Sequence, residues 1–156
     1  MSEIIKGIGF QEYYLTLIRV CTFLDYLGVF HKKNTSEERL VLFDFYLKYP
    51  EIFINNKERL DFDTKYSYFH WKPNYKLYSA VLADLRGREL VVCSEDSKSY
   101  FITEKGRMYV SDMTSSYTQK ISESSEYVIK NICKLSSKQI SINIDRILLE
   151  ERGHSK

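Results

Sequence analysis

Residues 79–106 read SAVLADLRGRELVVCSEDSKSYFITEKG, and the order of patterns within them decides the fold. An amphipathic helical pattern stops at Gly87, the residue type that most readily ends a helix. Two apolar runs follow, 89–94 and 100–103, with the polar turn Glu95-Asp96-Ser97-Lys98 between them. Apolar runs bounded in this way form a β-hairpin. A new helix opens at Thr103. Two further helical patterns lie upstream, and helices followed by a hairpin and another helix are the order of a winged helix-turn-helix. The expectation is an α+β, predominantly helical fold: a winged helix-turn-helix with extra C-terminal helices. Such a fold binds DNA or protein and seldom carries out chemistry.

Working outward, residues 11–27 read as a helix. Its apolar positions, Tyr13, Tyr14, Leu17, Cys21, Phe23 and Leu24 among them, leave a narrow polar stripe of Glu12, Thr16 and Arg19. A helix this apolar around its circumference needs cover on more than one side, from a partner chain or from the C-terminal helices. Gly28 supplies its stop. The next helix opens with a T-x-x-E capping box at Thr35 and Glu38 and ends before Pro50. Asp44 interrupts its apolar run, either as a solvated residue paired with Lys48 one turn on or as a polar anchor under the following loop. Asn74 caps a third helix, 75–86, whose inward face is Leu77, Tyr78, Val81, Leu82 and Leu85. Helical segments near 103–120, 122–134 and 138–151 close the chain. Ser136 and Gln139 form a capping box for the last of these. Its stripe of Ile140, Ile144, Ile147 and Leu148 is broadened by Ile142 and Leu149. The chain reads as a single domain, 1–156, with a winged-helix core over 11–106 and a helical extension over 107–156.

A chain of 156 residues, 44% apolar and 28% charged, is long and apolar enough to bury a real core. Its formal net charge of +2 is near neutral, which counts against a dedicated non-specific nucleic-acid binder, since affinity there comes from phosphate neutralisation. Cys21, Cys93 and Cys133 are widely spaced and sit in apolar runs, as buried thiols do. With no apolar leader and no stretch near the ~20 apolar residues of a membrane span, the expected compartment is the cytoplasm, with no membrane partner. His31, His70 and His154 fall in three regions without metal-ligand spacing. Phosphate-loop, nucleophile-elbow and zinc-protease motifs are absent from the sequence. The expectation is a protein that is not an enzyme and needs no cofactor or metal.

Thirteen Tyr and nine Phe are unusual; a Tyr-rich core and large contact surfaces both account for them. Between residues 54 and 73 no periodicity holds, and the segment turns from charged to aromatic at Phe62, Tyr66, Tyr68, Phe69 and Trp71. A loop of that length packs on itself, docks a protein or stacks on single-stranded nucleic acid. The outward face of the third helix holds Ala80, Ala83 and Asp84, a poor set for reading bases, and the wing tip is acidic. A DNA-binding reading therefore needs Lys72, Lys76, Arg86 and Arg88 on one continuous face.

Four stretches carry a family resemblance: LVLFDFYLKYPEIF at 40–53, YSYFHWKPNY at 66–75, YFITEKG at 100–106 and SSYTQKISESSEYV at 115–128. Their order and spacing resemble the middle components of bacterial ABC three-component systems, which include Lamassu-type anti-phage defence. The resemblance implies a small, non-catalytic accessory subunit of winged-helix character. It also implies an SMC/Rad50-like ABC ATPase and an effector, often a nuclease, as partners; a further reading, from the basic residues rather than the resemblance, has DNA gripped only within the complex. Under the accessory-subunit reading the partner-binding residues are Tyr66, Tyr68, Phe69 and Trp71 of the loop, with Tyr14 and Phe23 of the first helix. The rival reading is a DNA-binding winged-helix transcriptional regulator.

Overall fold

The computed structural model describes residues 10–29, 35–50, 67, 70–96 and 98–154. Among them run helices α1 (Phe10–Val29), α2 (Glu37–Lys48) and α3 (Tyr75–Gly87), strands β1 (Val91–Cys93) and β2 (Tyr100–Ile102), and helices α4 (Glu104–Ser111), α5 (Ser116–Asn131) and α6 (Ser137–His154). The expected mixture of mostly helix with one small sheet is what forms. Tyr66, Tyr68, Phe69 and His31 lie outside the described residues.

Helix α2 is the centre of the molecule. Every residue from Arg39 to Leu47 is buried, because α1, α3, α5 and α6 all pack around it. Its Phe43 meets Phe23 of α1 with ring centroids 5.4 Å apart, and Phe45 lies edge-on to Tyr46 at 5.3 Å. The helix is capped by Ser36, whose hydroxyl accepts from Arg39 N at 3.3 Å, and not by Thr35. Thr35 turns to the hairpin instead: its hydroxyl donates to the Tyr100 carbonyl at 2.5 Å, and its carbonyl accepts from Tyr100 N at 3.2 Å. A threonine in extended backbone can pair with a strand, and here that pairing wins over the cap. Gly28 lies within the last turn of α1, one residue short of its end.

Helix α3 forms as its pattern requires. Asn74 Oδ1 accepts from Leu77 N at 3.1 Å, and the five expected inward residues are all buried. The helix closes with Leu90 N donating to Leu85 O and Glu89 N to Arg86 O, both at 3.0 Å. That closure places Glu89 at φ 64°, in the left-handed region that glycine usually fills. Thr103 braces the turn, donating its hydroxyl to Glu89 O at 2.7 Å and its N–H to Leu90 O at 3.0 Å.

The hairpin is antiparallel, with Val91 opposite Ile102 and Cys93 opposite Tyr100. Thr103 also caps α4, accepting from Gly106 N at 3.0 Å. Gly106 has to be glycine: a Cβ there would collide with the Leu90 carbonyl oxygen and lie 2.7 Å from Ile102 Cγ1. This close approach of helix to hairpin explains the glycine in YFITEKG.

The C-terminal half corrects two expected boundaries. The segment expected over 103–120 is interrupted after Ser111, and α5 begins at Ser116 under a Ser115 cap that accepts from Thr118 N at 3.2 Å. Ser122, expected to open a helix, lies inside α5. It and its neighbours Ser124 and Ser125 donate to carbonyls four residues back at 3.1, 3.0 and 2.7 Å, so hydroxyls that resemble caps are satisfied within the helix. The Ser136/Gln139 box does form, at 2.8 and 3.1 Å. Among the described residues no helix is long and apolar enough to cross a membrane.

Candidate functional site

The narrow polar stripe of α1 faces inward. Arg19 is 1% exposed and Thr16 is fully buried. The Arg19 guanidinium donates from Nε to Asp44 Oδ1 at 2.7 Å, from Nη1 to Tyr117 Oη at 3.0 Å and from Nη2 to Thr16 Oγ1 at 2.9 Å and Glu12 Oε1 at 3.3 Å. Tyr78 donates its hydroxyl to the same Asp44 oxygen at 2.7 Å. Asp44 is therefore not solvated but a buried anchor between helices, while most of the loop expected above it lies outside the described residues; Lys48 pairs across to Glu12 at 3.1 Å. The cause is packing on every side of α2: a charge that cannot reach water needs a complete set of partners.

Electrostatics fix the protonation of this centre. Burial opposes the Arg19 charge, but Asp44 beside it, together with Tyr117 and Tyr78, outweighs that cost and holds the guanidinium protonated well above its usual range. Burial, then Asp44, pushes the Tyr78 hydroxyl well above its ordinary value. Groups held this far from neutrality do not exchange protons near pH 7. The cluster joins α1, α2, α3 and α5 through one carboxylate and one guanidinium. Above it opens a cleft of about 360 Å³ whose lining includes Glu12, Asp44, Lys48, His70, Trp71 and Lys72.

Of the expected contact residues, Trp71 is half-buried and stands edge-on to Phe45 at 5.2 Å. Tyr14 is 46% exposed. Phe23 is not on a surface: it is completely buried against Phe43. The side of α1 that presents Phe23 is covered from within the chain by α2, so this residue supports the fold and offers nothing to a partner.

The four expected cations stand apart. Lys72 and Lys76 are exposed near the start of α3, and Arg86 and Arg88 are exposed at its end. Ten residues of helix separate Lys76 from Arg86, about 15 Å along the axis. Asp84, in the last turn of α3, holds Arg88 Nε at 2.9 Å and accepts from the Tyr13 hydroxyl at 2.8 Å. Ser79, midway along the helix, donates to Glu37 at 3.0 Å. Two carboxylates, Asp84 and Glu37, thus stand among these cations, one of them paired with Arg88. At the hairpin tip, Asp96 accepts from Ser94 and from Lys98 N, and these bonds hold its carboxyl below the usual range.

Exposed apolar residues point elsewhere. Ile142 is 57% and Leu149 70% exposed, while Ile140 and Ile144 of the same helix are buried. The sequence shows Ile142 and Leu149 broadening the inward stripe; the structure puts them on the opposite side. The signal was there, since seven residues return a helix to nearly the same face.

A family model, ABC-three component (ABC-3C) system Middle Component 2, matches residues 18–152, which takes in every element from the body of α1 to α6. No curated protein and no solved structure matches the chain.

Proposed function

This chain belongs to the ABC-three component system middle component 2 family, and from that premise we propose that it is a non-catalytic accessory subunit of a bacterial anti-phage defence complex. It docks on an SMC/Rad50-like ABC ATPase in the cytoplasm and helps couple that ATPase to an effector nuclease, in the manner of Lamassu-type systems. The observation that carries this reading is the match over 18–152.

Three features support it. The succession of α3, hairpin and α4, with Thr35 bonded to the outer edge of β2, is compatible with the winged-helix character expected of such a subunit. The most buried charges, Arg19 and Asp44, are engaged with each other in joining helices, as expected of a structural joint. The carboxylates Asp84 and Glu37 stand among the cations of α3, which disfavours direct reading of DNA by the free chain. The contact surface we assign is the aromatic segment with Tyr66, Tyr68, Phe69 and Trp71, aided by Tyr14.

The test is co-expression of this chain with the products of its neighbouring genes, followed by size exclusion and mass photometry. Co-elution with a large coiled-coil ATPase is expected. Tyr68→Ala with Trp71→Ala abolishes it while the circular dichroism stays helical, since truncating such anchors typically costs about 2 kcal/mol or more. A free chain that shifts duplex DNA alone, with steep salt dependence, would instead establish the regulator reading.

A further inference from the structure

Helix α6 carries a self-complementary face. It packs on α2, and its Ile140, at 0% exposure, and Ile144, at 2%, are buried in the core. On its far side Ile142, Asp145, Arg146 and Leu149 are all exposed. At about 100° per residue these four positions fall within a single arc about 100° wide. Their order is apolar, acidic, basic, apolar, at spacing i, i+3, i+4, i+7, and it is symmetric about the midpoint between Asp145 and Arg146. A two-fold axis through that midpoint sets each Ile142 against Leu149 of the second copy, and each Asp145 against its Arg146. Two-fold contacts of this isologous kind need a patch that complements itself, and this patch does so in both hydrophobicity and charge.

A second observation concerns the arginine. Asn143 donates its amide to the hydroxyl of Tyr46 at 2.6 Å and accepts from Arg146 NH2 on its carbonyl oxygen, also at 2.6 Å. Tyr46 is 1% exposed, in the middle of α2. The guanidinium is thus tied through one side chain to the core, which lowers the conformational entropy lost when it meets a carboxylate.

We propose that the outer face of α6 is an interface between two copies of this chain, with their α6 helices antiparallel and Asp145 of each paired with Arg146 of the other. A partner of a different sequence would have no reason to match this palindromic arrangement. Opposite charges across such a seam also select the partner and its orientation.

Charge exchange tests the proposal on the full chain, by sedimentation velocity over a concentration series at low salt. Wild type self-associates reversibly. Asp145→Arg places two cations on each face and Arg146→Asp two anions, so each single variant associates at least ~10-fold more weakly. An equimolar mixture of the two pairs a cationic face with an anionic one and recovers association as a heterodimer. The double variant Asp145→Arg/Arg146→Asp recovers it as a homodimer. Circular dichroism and urea melts of each variant verify the fold, and these four positions are exposed enough to tolerate the changes. A wild type that stays monomeric throughout overturns the proposal. So do single variants that associate like wild type, or a mixture that recovers nothing. Loss of the ATPase co-elution on charge reversal, with wild type monomeric by itself, would assign the face to that partner and overturn the dimer.

Discussion

Helices α2 and α6 answer the same problem in opposite ways. Helix α2 is enclosed on all sides, and each charge caught inside it is fully engaged. Asp44 is held by Arg19 and Tyr78, while Arg39 donates to Cys133 O at 2.9 Å and lies over the Phe43 ring at 5.2 Å. Helix α6 is enclosed on one side only, and it turns Asp145 and Arg146 outward between two exposed apolar residues. Enclosure converts charges into internal joints, whereas a half-covered helix keeps its charges available to another molecule. Function on this scaffold therefore belongs on the half-covered elements, and stability on α2.

The sharpest way to break that contrast is at the joint. Arg19→Ala leaves Asp44 buried with only the Tyr78 hydroxyl as a named donor, and removing one partner of a buried pair costs about 3–5 kcal/mol. Urea unfolding followed by circular dichroism reads the loss directly. Arg19→Met combined with Asp44→Leu removes both charges at once and should recover most of that stability, because a paired apolar replacement leaves no orphan charge. If the double variant is as unstable as the single one, the pair stabilises α2 by more than mutual neutralisation.

How far the sequence reads correctly follows the same division. Elements set by local chemistry are legible: the Asn74 cap, the five inward residues of α3, the hairpin and the Ser136/Gln139 box all stand where pattern places them. What pattern misplaces depends on partners distant in sequence. Thr35 looks like a cap until Tyr100, 65 residues away, claims it. Arg19 shows in the pattern only as part of a polar stripe; its partners Asp44 and Tyr117 come from other helices. Ser122 reads as a helix start because a hydroxyl serves equally well as a cap or as a donor inside a helix. For the candidate site, the exposed apolar residues of α6 were visible as a stripe too wide for one face. Which side was covered required the position of α2.

Raising the pH probes the enclosed centre more gently. Burial pushes the Tyr46 and Tyr49 hydroxyls up to about 12, and burial with Asp84 does the same for Tyr13. Tyr78 is raised well above its ordinary 10.0. Unfolded tyrosines ionise near 10 while the folded ones keep their protons, so above that pH the native state binds more protons and stability falls as pH rises. Below pH 9 this contribution is fully present. Cys21, pushed up to about 12 from 9.0 by burial, brings the onset forward to near pH 9. A single fully buried tyrosine changes stability by about 1.4 kcal/mol per pH unit over this window. Urea midpoints measured from about pH 8 to 11 should stay level and then decline, and Tyr78→Phe should flatten the decline. Helix α6 contains no tyrosine, so a decline that survives Tyr78→Phe unchanged would locate the titrating groups away from the Asp44 centre.

The smallest effect is the one that defines the outer face. Ile142→Glu with Leu149→Glu replaces side chains that are 57% and 70% exposed, and surface changes of this kind shift stability by no more than about 0.5 kcal/mol. Glutamate is also a good helix former, so α6 keeps its propensity. Ile144→Ala, two positions from Ile142 but 2% exposed, should cost about 2–5 kcal/mol because it opens a cavity in the core. The comparison must be made at low protein concentration, since any association of the native state adds apparent stability by mass action. At high concentration the wild type should gain on the Glu variant, and the size of that gain measures the interface rather than the fold. If the double Glu variant is as destabilised as Ile144→Ala even at the lowest concentration, then Ile142 and Leu149 are covered from within the chain and α6 is enclosed as α2 is.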